Sequence, residues 1–156
     1  MIENTVEKIE LFNTRLDALY RQVCGWLDEE SIAFTSSESL ITLDDGPTGA
    51  YETKRLDIFI QNNERLFSII PYGIMIIGAE GRVELSGESG EESLVYIHEE
   101  EPSAITEKSA SEKEKLFGRL FKNSREEGWH WVDDKIIGKK PLLTKNVFLA
   151  LLEIIN

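Results

Sequence analysis

Residues 51–70 read YETKRLDIFIQNNERLFSII, and the fold turns on them. Two runs rich in β-branched and aromatic residues, Tyr51 to Ile60 and Arg65 to Ile70, flank Asn62-Asn63, a pair suited to a two-residue hairpin loop with positive φ. A loop at that place sets Ile58 opposite Phe67 and Leu56 opposite Ile69 on one face, which is then the core face. The other face carries Asp57 opposite Ser68 and Arg55 opposite Ile70, a mixed surface that is wet or only partly covered.

Outward from this hairpin, Leu40 to Asp44, Ile74 to Ile77, Arg82 to Leu85 and Leu94 to His98 read as further strands, giving six. Asp45-Gly46-Pro47-Thr48-Gly49, Ala79-Glu80-Gly81 and Gly87 to Glu92 separate them as turns and a longer polar loop. Links this short permit antiparallel neighbours only, because a parallel pair needs a crossover of about a dozen residues or more. A meander is therefore expected, and a doubly wound nucleotide-binding fold is disfavoured.

Helices bracket the strands. Val6, Ile9, Phe12, Leu16, Leu19, Tyr20, Val23 and Leu27 recur at three and four residues, one stripe of a helix capped by Asn4 and ending near Glu29. Roughly 25 residues at ~1.5 Å each is about 37 Å, so this helix either crosses a whole sheet or extends into a partner. Residues 99–115, EEEPSAITEKSASEKEK, read as a linker, mobile over 99–111. Leu116, Phe117, Leu120 and Phe121 then mark a short helix, Trp129 to Val132 a strand, and Val147, Phe148, Leu151, Leu152 and Ile155 a last helix capped by Thr144. The expected fold is a single α+β domain over residues 1–156: a long N-terminal helix, an antiparallel meander of about six strands, and a helix-strand-helix unit, with the helices packed on one sheet face.

The 156 residues carry a formal charge of −12, distributed as −15 over residues 1–107 and +3 over 108–156. Such a body repels phosphate backbones, which argues against general nucleic-acid binding and favours either plain solubility or a basic partner. One cysteine, Cys24, excludes an intramolecular disulfide and suits a reducing compartment. With neither a signal-like start nor an apolar run of ~18 residues, the expected setting is cytoplasmic, with no membrane contact.

Several chemistries are removed by counting. Cys24, His98 and His130 fall in different elements, so no zinc site is expected; no phosphate-binding glycine loop occurs. Ser89 in Gly87-Glu88-Ser89-Gly90 lacks the strand-to-helix turn of a nucleophile elbow, and Cys24 beside the first apolar stripe reads as a buried inert thiol.

One constellation does point to catalysis. In residues 41–54, ITLDDGPTGAYETK, an aspartate ends one strand and Glu-x-Lys follows on the next. The segment resembles the metal-binding core of the PD-(D/E)xK nucleases. The resemblance implies that Asp44 or Asp45 and Glu52 hold Mg²⁺ while Lys54 stabilises charge on a phosphate; it covers 14 residues of the chain and implies a mixed sheet flanked by helices on both sides. Trp129 and Trp131 share one face of their strand, either as core or, with Lys139 and Lys140 downstream, as a docking platform. By elimination, the expected function is a non-enzymatic intracellular protein-binding domain of the adaptor, immunity-inhibitor or secretion-chaperone kind, without cofactor. Its partner would be a protein with a basic surface or a second copy of the chain. The alternative is the Mg²⁺-dependent nuclease.

Overall fold

The computed structural model describes residues 2–46, 48–74, 80–98, 126–132 and 141–156. In chain order its elements are helix α1 (Ile2–Glu29), strands β1 (Phe34–Asp44), β2 (Ala50–Ile60), β3 (Arg65–Gly73), β4 (Arg82–Ser86), β5 (Glu91–Ile97) and β6 (Gly128–Val132), and helix α2 (Lys145–Ile155). The strands form one sheet in the order β1-β2-β3-β4-β5-β6, every neighbouring pair antiparallel. The α+β meander is therefore present, and its sixth strand is the Trp129 strand. Of the expected strand Ile74 to Ile77, Ile74 follows the end of β3 at Gly73 and residues 75–77 lie outside the described residues. The expected linker over 99–111 and the helix over 116–121 also lie outside them.

The central hairpin holds the expected register, with Leu56 opposite Ile69, Ile58 opposite Phe67 and Asp57 opposite Ser68. Its loop differs. Pairing closes at Ile60 and Arg65, leaving a four-residue turn in which Glu64, not an asparagine, takes the positive φ, and Asn63 Oδ1 accepts from the Arg65 N–H at 3.1 Å. A side-chain-capped turn of this kind keeps the register while relieving the asparagines of the left-handed conformation. Helix α1 likewise starts at Ile2, which puts Asn4 inside the helix rather than at its cap.

The core lies between one sheet face and the two helices. Leu56, Ile58, Phe67, Ile69, Val83, Leu85 and Leu94 come from the sheet, Phe12, Leu16, Leu19, Tyr20, Val23 and Leu27 from α1, and Phe148, Leu151, Leu152 and Ile155 from α2. The Phe148 ring sits 6.0 Å from Phe67 and 5.6 Å from Trp26, so it joins sheet, α2 and α1. The long helix crosses the sheet: Asn13 reaches the β2 backbone, while Arg15 lies over the Tyr96 ring of β5 at 3.9 Å and bonds Glu80 at 2.7 Å. Lys145 then ties α2 to the end of α1 through Glu30 at 2.7 Å and Glu29 at 3.2 Å.

Both ends of α2 are satisfied. Thr144 caps the start, accepting from the Val147 N–H, and the Ser89 N–H donates to the Ile155 carbonyl at 2.7 Å. Ser89 is thus a loop serine with a structural task. Its neighbour Gly87 lies so close to this helix end that a Cβ there would fall on the Ile155 carbonyl.

The opposite sheet face carries two ion-pair clusters of the same make: Arg55 with Asp57 (2.8 Å) and Ser68, and Arg82 with Glu84 (3.0 Å) and Ser93. That face is mixed as expected, since Val95 and His130 are buried on it while Leu66 and Tyr72 are exposed. Partial burial works to raise the Asp57 carboxyl, but hydrogen bonds from Arg55 and Ser68 outweigh it and hold the group below its ordinary range.

Three stability measurements follow from this packing. Phe148→Ala should cost about 3 to 5 kcal/mol in denaturant unfolding, since it opens a cavity where three elements meet. Gly87→Ala should cost about 1 to 3 kcal/mol, because backbone rather than a movable side chain blocks the added methyl. The depressed Asp57 contributes stability that is complete above its unfolded value of about 3.9 and is lost as pH falls through its lower folded value. Acid unfolding curves of Asp57→Asn should therefore converge on the unsubstituted protein at the lowest pH and separate above about pH 4.

Candidate functional site

Strand β2 keeps β1 as a partner along its whole length but leaves β3 beyond Leu56 and Ile69. Past that point helix side chains take over the role of a strand. Asn13 Nδ2 donates to the Glu52 carbonyl at 3.2 Å, the Tyr20 hydroxyl donates to the Lys54 carbonyl, and Thr53 Oγ1 donates to Asn13 Oδ1 at 2.7 Å. These bonds satisfy backbone groups that would otherwise be stranded next to the core.

They also fix which way the hairpin's backbone faces. Because residues 52 and 54 of β2 turn their carbonyls away from β1, the odd-numbered residues of β2 bond β1, as the Gln61 N–H does to the Ala33 carbonyl at 3.0 Å. In β1 the residues that face β2 are therefore Thr35, Ser37, Ser39, Ile41 and Leu43, and Ser36, Glu38, Leu40 and Thr42 direct N–H and C=O outward. Among the described residues nothing pairs with that outer edge. The far edge of the sheet is covered: the Trp131 N–H donates to the Pro141 carbonyl at 2.9 Å and the Leu143 N–H to the Trp129 carbonyl at 2.8 Å.

Beside the open edge lies a groove of about 230 Å³, lined by Asn13, Leu16 and Asp17 of α1, Leu40 of β1, and Glu52, Thr53 and Lys54 of β2. Its floor is aliphatic and its rim charged. Lys54 Nζ stands 3.8 Å from Glu38. Burial, reinforced by the carboxylates of Glu38 and Asp17, pushes the Tyr20 hydroxyl well above its ordinary range. Burial also raises the half-buried Cys24 thiol, with Asp28 and Glu38 adding to the effect and a hydrogen bond with Ser36 opposing it. One flank of α1 and the adjoining strand thus share a negative field.

Of the residues singled out in the sequence, Glu52 and Lys54 meet in this groove. Asp44 pairs with Ala50, two residues along β1 from Thr42, the partner of Glu52; its carboxylate accepts from the Gly46 N–H at 2.9 Å and closes the β1–β2 turn. Asp45 also serves the turn, accepting from the Tyr51 hydroxyl and the Ile74 N–H, each at 2.8 Å. Among the described residues no three His, Cys, Asp or Glu side chains converge to hold a metal ion, and the sheet is wholly antiparallel rather than mixed.

Trp129 is 6% exposed and stacks edge-on against Tyr96 at 5.3 Å, within the core cluster. Trp131 is half-buried, its indole N–H donating to Glu92 at 3.0 Å. Lys139 and Lys140 lie outside the described residues. Sequence reasoning missed Asn13, Asp17, Tyr20 and Glu38, and it missed the first half of β1, because Thr35-Ser36-Ser37-Glu38-Ser39 shows no apolar alternation. The available signal was Tyr20 itself, a hydroxyl on an otherwise apolar stripe that needs an acceptor once buried.

No described helix is long and apolar enough to cross a membrane. No protein-family model matches the chain, and neither the curated proteins nor the solved structures contain a significant match to it.

Proposed function

We propose that this chain is a non-enzymatic protein-binding domain whose partner presents a basic surface. The observation that carries the reading is the β1 edge. Eleven residues pair with β2 without a register break, about twice the ordinary strand length, and most of the strand is exposed. Natural edge strands are blunted by lysine, proline, bulges, shortness or inward-pointing charges; Phe34–Asp44 has no lysine, proline or bulge and is long, and Glu38 is its one mid-strand charge. An edge left this long and regular beside an otherwise covered sheet supports a role in recognition.

Charge supports the class of partner. The formal −15 over residues 1–107 favours approach of a basic protein and disfavours nucleic acid. Adaptors, immunity-type inhibitors and secretion chaperones are the kinds of intracellular protein that such a domain resembles in size and charge. A Mg²⁺-dependent nuclease is the second reading, favoured by the meeting of Glu52 and Lys54 in one groove.

The test is to recover partners from a native lysate, identify them, and follow association of the purified partner at about 50 and 500 mM salt. A basic partner whose association rate falls at least about tenfold across that range is expected, since steering acts on encounter and is screened over ~8 Å at physiological salt. An acidic partner, or a rate insensitive to salt, overturns the reading. Mg²⁺-dependent cleavage of DNA or RNA that Glu52→Ala abolishes would replace it with the nuclease.

A further inference from the structure

Along β1 run a backbone edge with no partner among the described residues and a groove lined by both leucines and charged side chains. Each restricts what can lie against the other. The outward groups of Ser36, Glu38, Leu40 and Thr42 recur every second residue, the spacing at which another extended chain offers its own N–H and C=O groups. A strand laid there would point alternate side chains to the α1 side, where Leu40 lines the groove and Ser36 meets Cys24, and to the other side, where Thr35, Ser37 and Ser39 are small, polar and exposed.

On the α1 side the arriving side chains meet Asp17 and Glu52 of the groove and, nearer Cys24, Asp28 and Glu38, while the cation there, Lys54, already lies beside Glu38. Leu16 and Leu40 offer aliphatic surface for the stem of a long side chain, while Asp17, Glu52 and the Asn13 amide carbonyl can accept from a cationic head. Leu40, 66% exposed, would be covered in the process.

We infer that β1 takes up an extended lysine- or arginine-bearing segment of a partner protein as an added strand, with one cationic side chain of that segment seated in the groove between α1 and β1. The inference rests on the protein-binding reading and specifies how the partner is held. A second copy of this chain is the poorer occupant. Its own edge brings Glu38 and Asp44 and no cation, and two bodies of charge −12 repel.

The test uses the full chain and a synthetic peptide as long as β1, with lysine at alternate positions and threonine or valine between. Binding is followed by fluorescence anisotropy and by amide hydrogen exchange. Expected are binding tighter than about 1 mM, slowed exchange at Ser36, Glu38, Leu40 and Thr42, and at least about tenfold weaker binding for Leu40→Pro, which removes an outward N–H without breaking a β1–β2 bond. Glu52→Lys, which alters the groove and no backbone group, should weaken binding to a similar degree and serves if Leu40→Pro fails to fold by circular dichroism.

Absence of peptide binding at that limit overturns the inference, as does binding without slowed exchange along β1. Self-association in sedimentation that Leu40→Pro abolishes would assign the edge to a second copy and overturn it too. If a basic partner from the lysate binds with salt-sensitive kinetics but is indifferent to both substitutions, the added-strand mode falls while the protein-binding reading stands.

Discussion

Everything in this molecule depends on covering one face of an antiparallel sheet from one side only. Short links commit β1 to β5 to neighbours in chain order, β6 joins β5 after a much longer connection, and that order leaves an apolar face of Leu56, Ile58, Phe67, Ile69, Val83, Leu85 and Leu94 to be removed from water. Among the described residues two helices lie on this face: α1 crosses from β2 to β5 and α2 packs beside it, with Phe148 placed where both meet Phe67. The opposite face can then hold ion pairs, since no third layer of described structure demands that all of it be apolar.

The site is a by-product of this cover. Where β2 leaves β3, α1 must supply the hydrogen bonds a strand would have supplied, and Asn13 and Tyr20 do so. Bringing the helix that close to the β1–β2 hairpin carves the groove and lays the acidic flank of α1 along the open edge. Groove and fold therefore share the same residues. Tyr20 is at once a core side chain, a backbone partner of Lys54 and a group whose hydroxyl feels Glu38 and Asp17.

How much of this was legible follows from which forces act locally. The register of the central hairpin could be read because alternation of Leu56 and Ile58 against Phe67 and Ile69 admits one face for the core, and the Thr144 cap could be read because capping involves a few adjacent residues. Asn62-Asn63 misled on loop length, since the turn is set by the Asn63 side chain and by Glu64 rather than by asparagine conformation. Ser-rich β1 could not be read in full: its strand character comes from pairing with β2 rather than from its own pattern. Alternation was enough to put Glu52 and Lys54 on one face of β2, whereas the bond that the Asp44 carboxylate accepts from the Gly46 N–H in the turn was not legible. The groove was invisible because Asn13 and Asp17 stand about forty residues from the strand they face.

The exposed edge gives the acidity of the chain a second task. A long regular strand without lysine or proline can template pairing with its own copies, and on the proposed reading mutual repulsion of bodies at −12 would disfavour that pairing while favouring a cationic chain. Net charge would then act as a filter on which chain completes the sheet. Near pH 4.6, where the composition brings the net charge to about zero, that repulsion would vanish and leave the same edge open to pairing with its own copies.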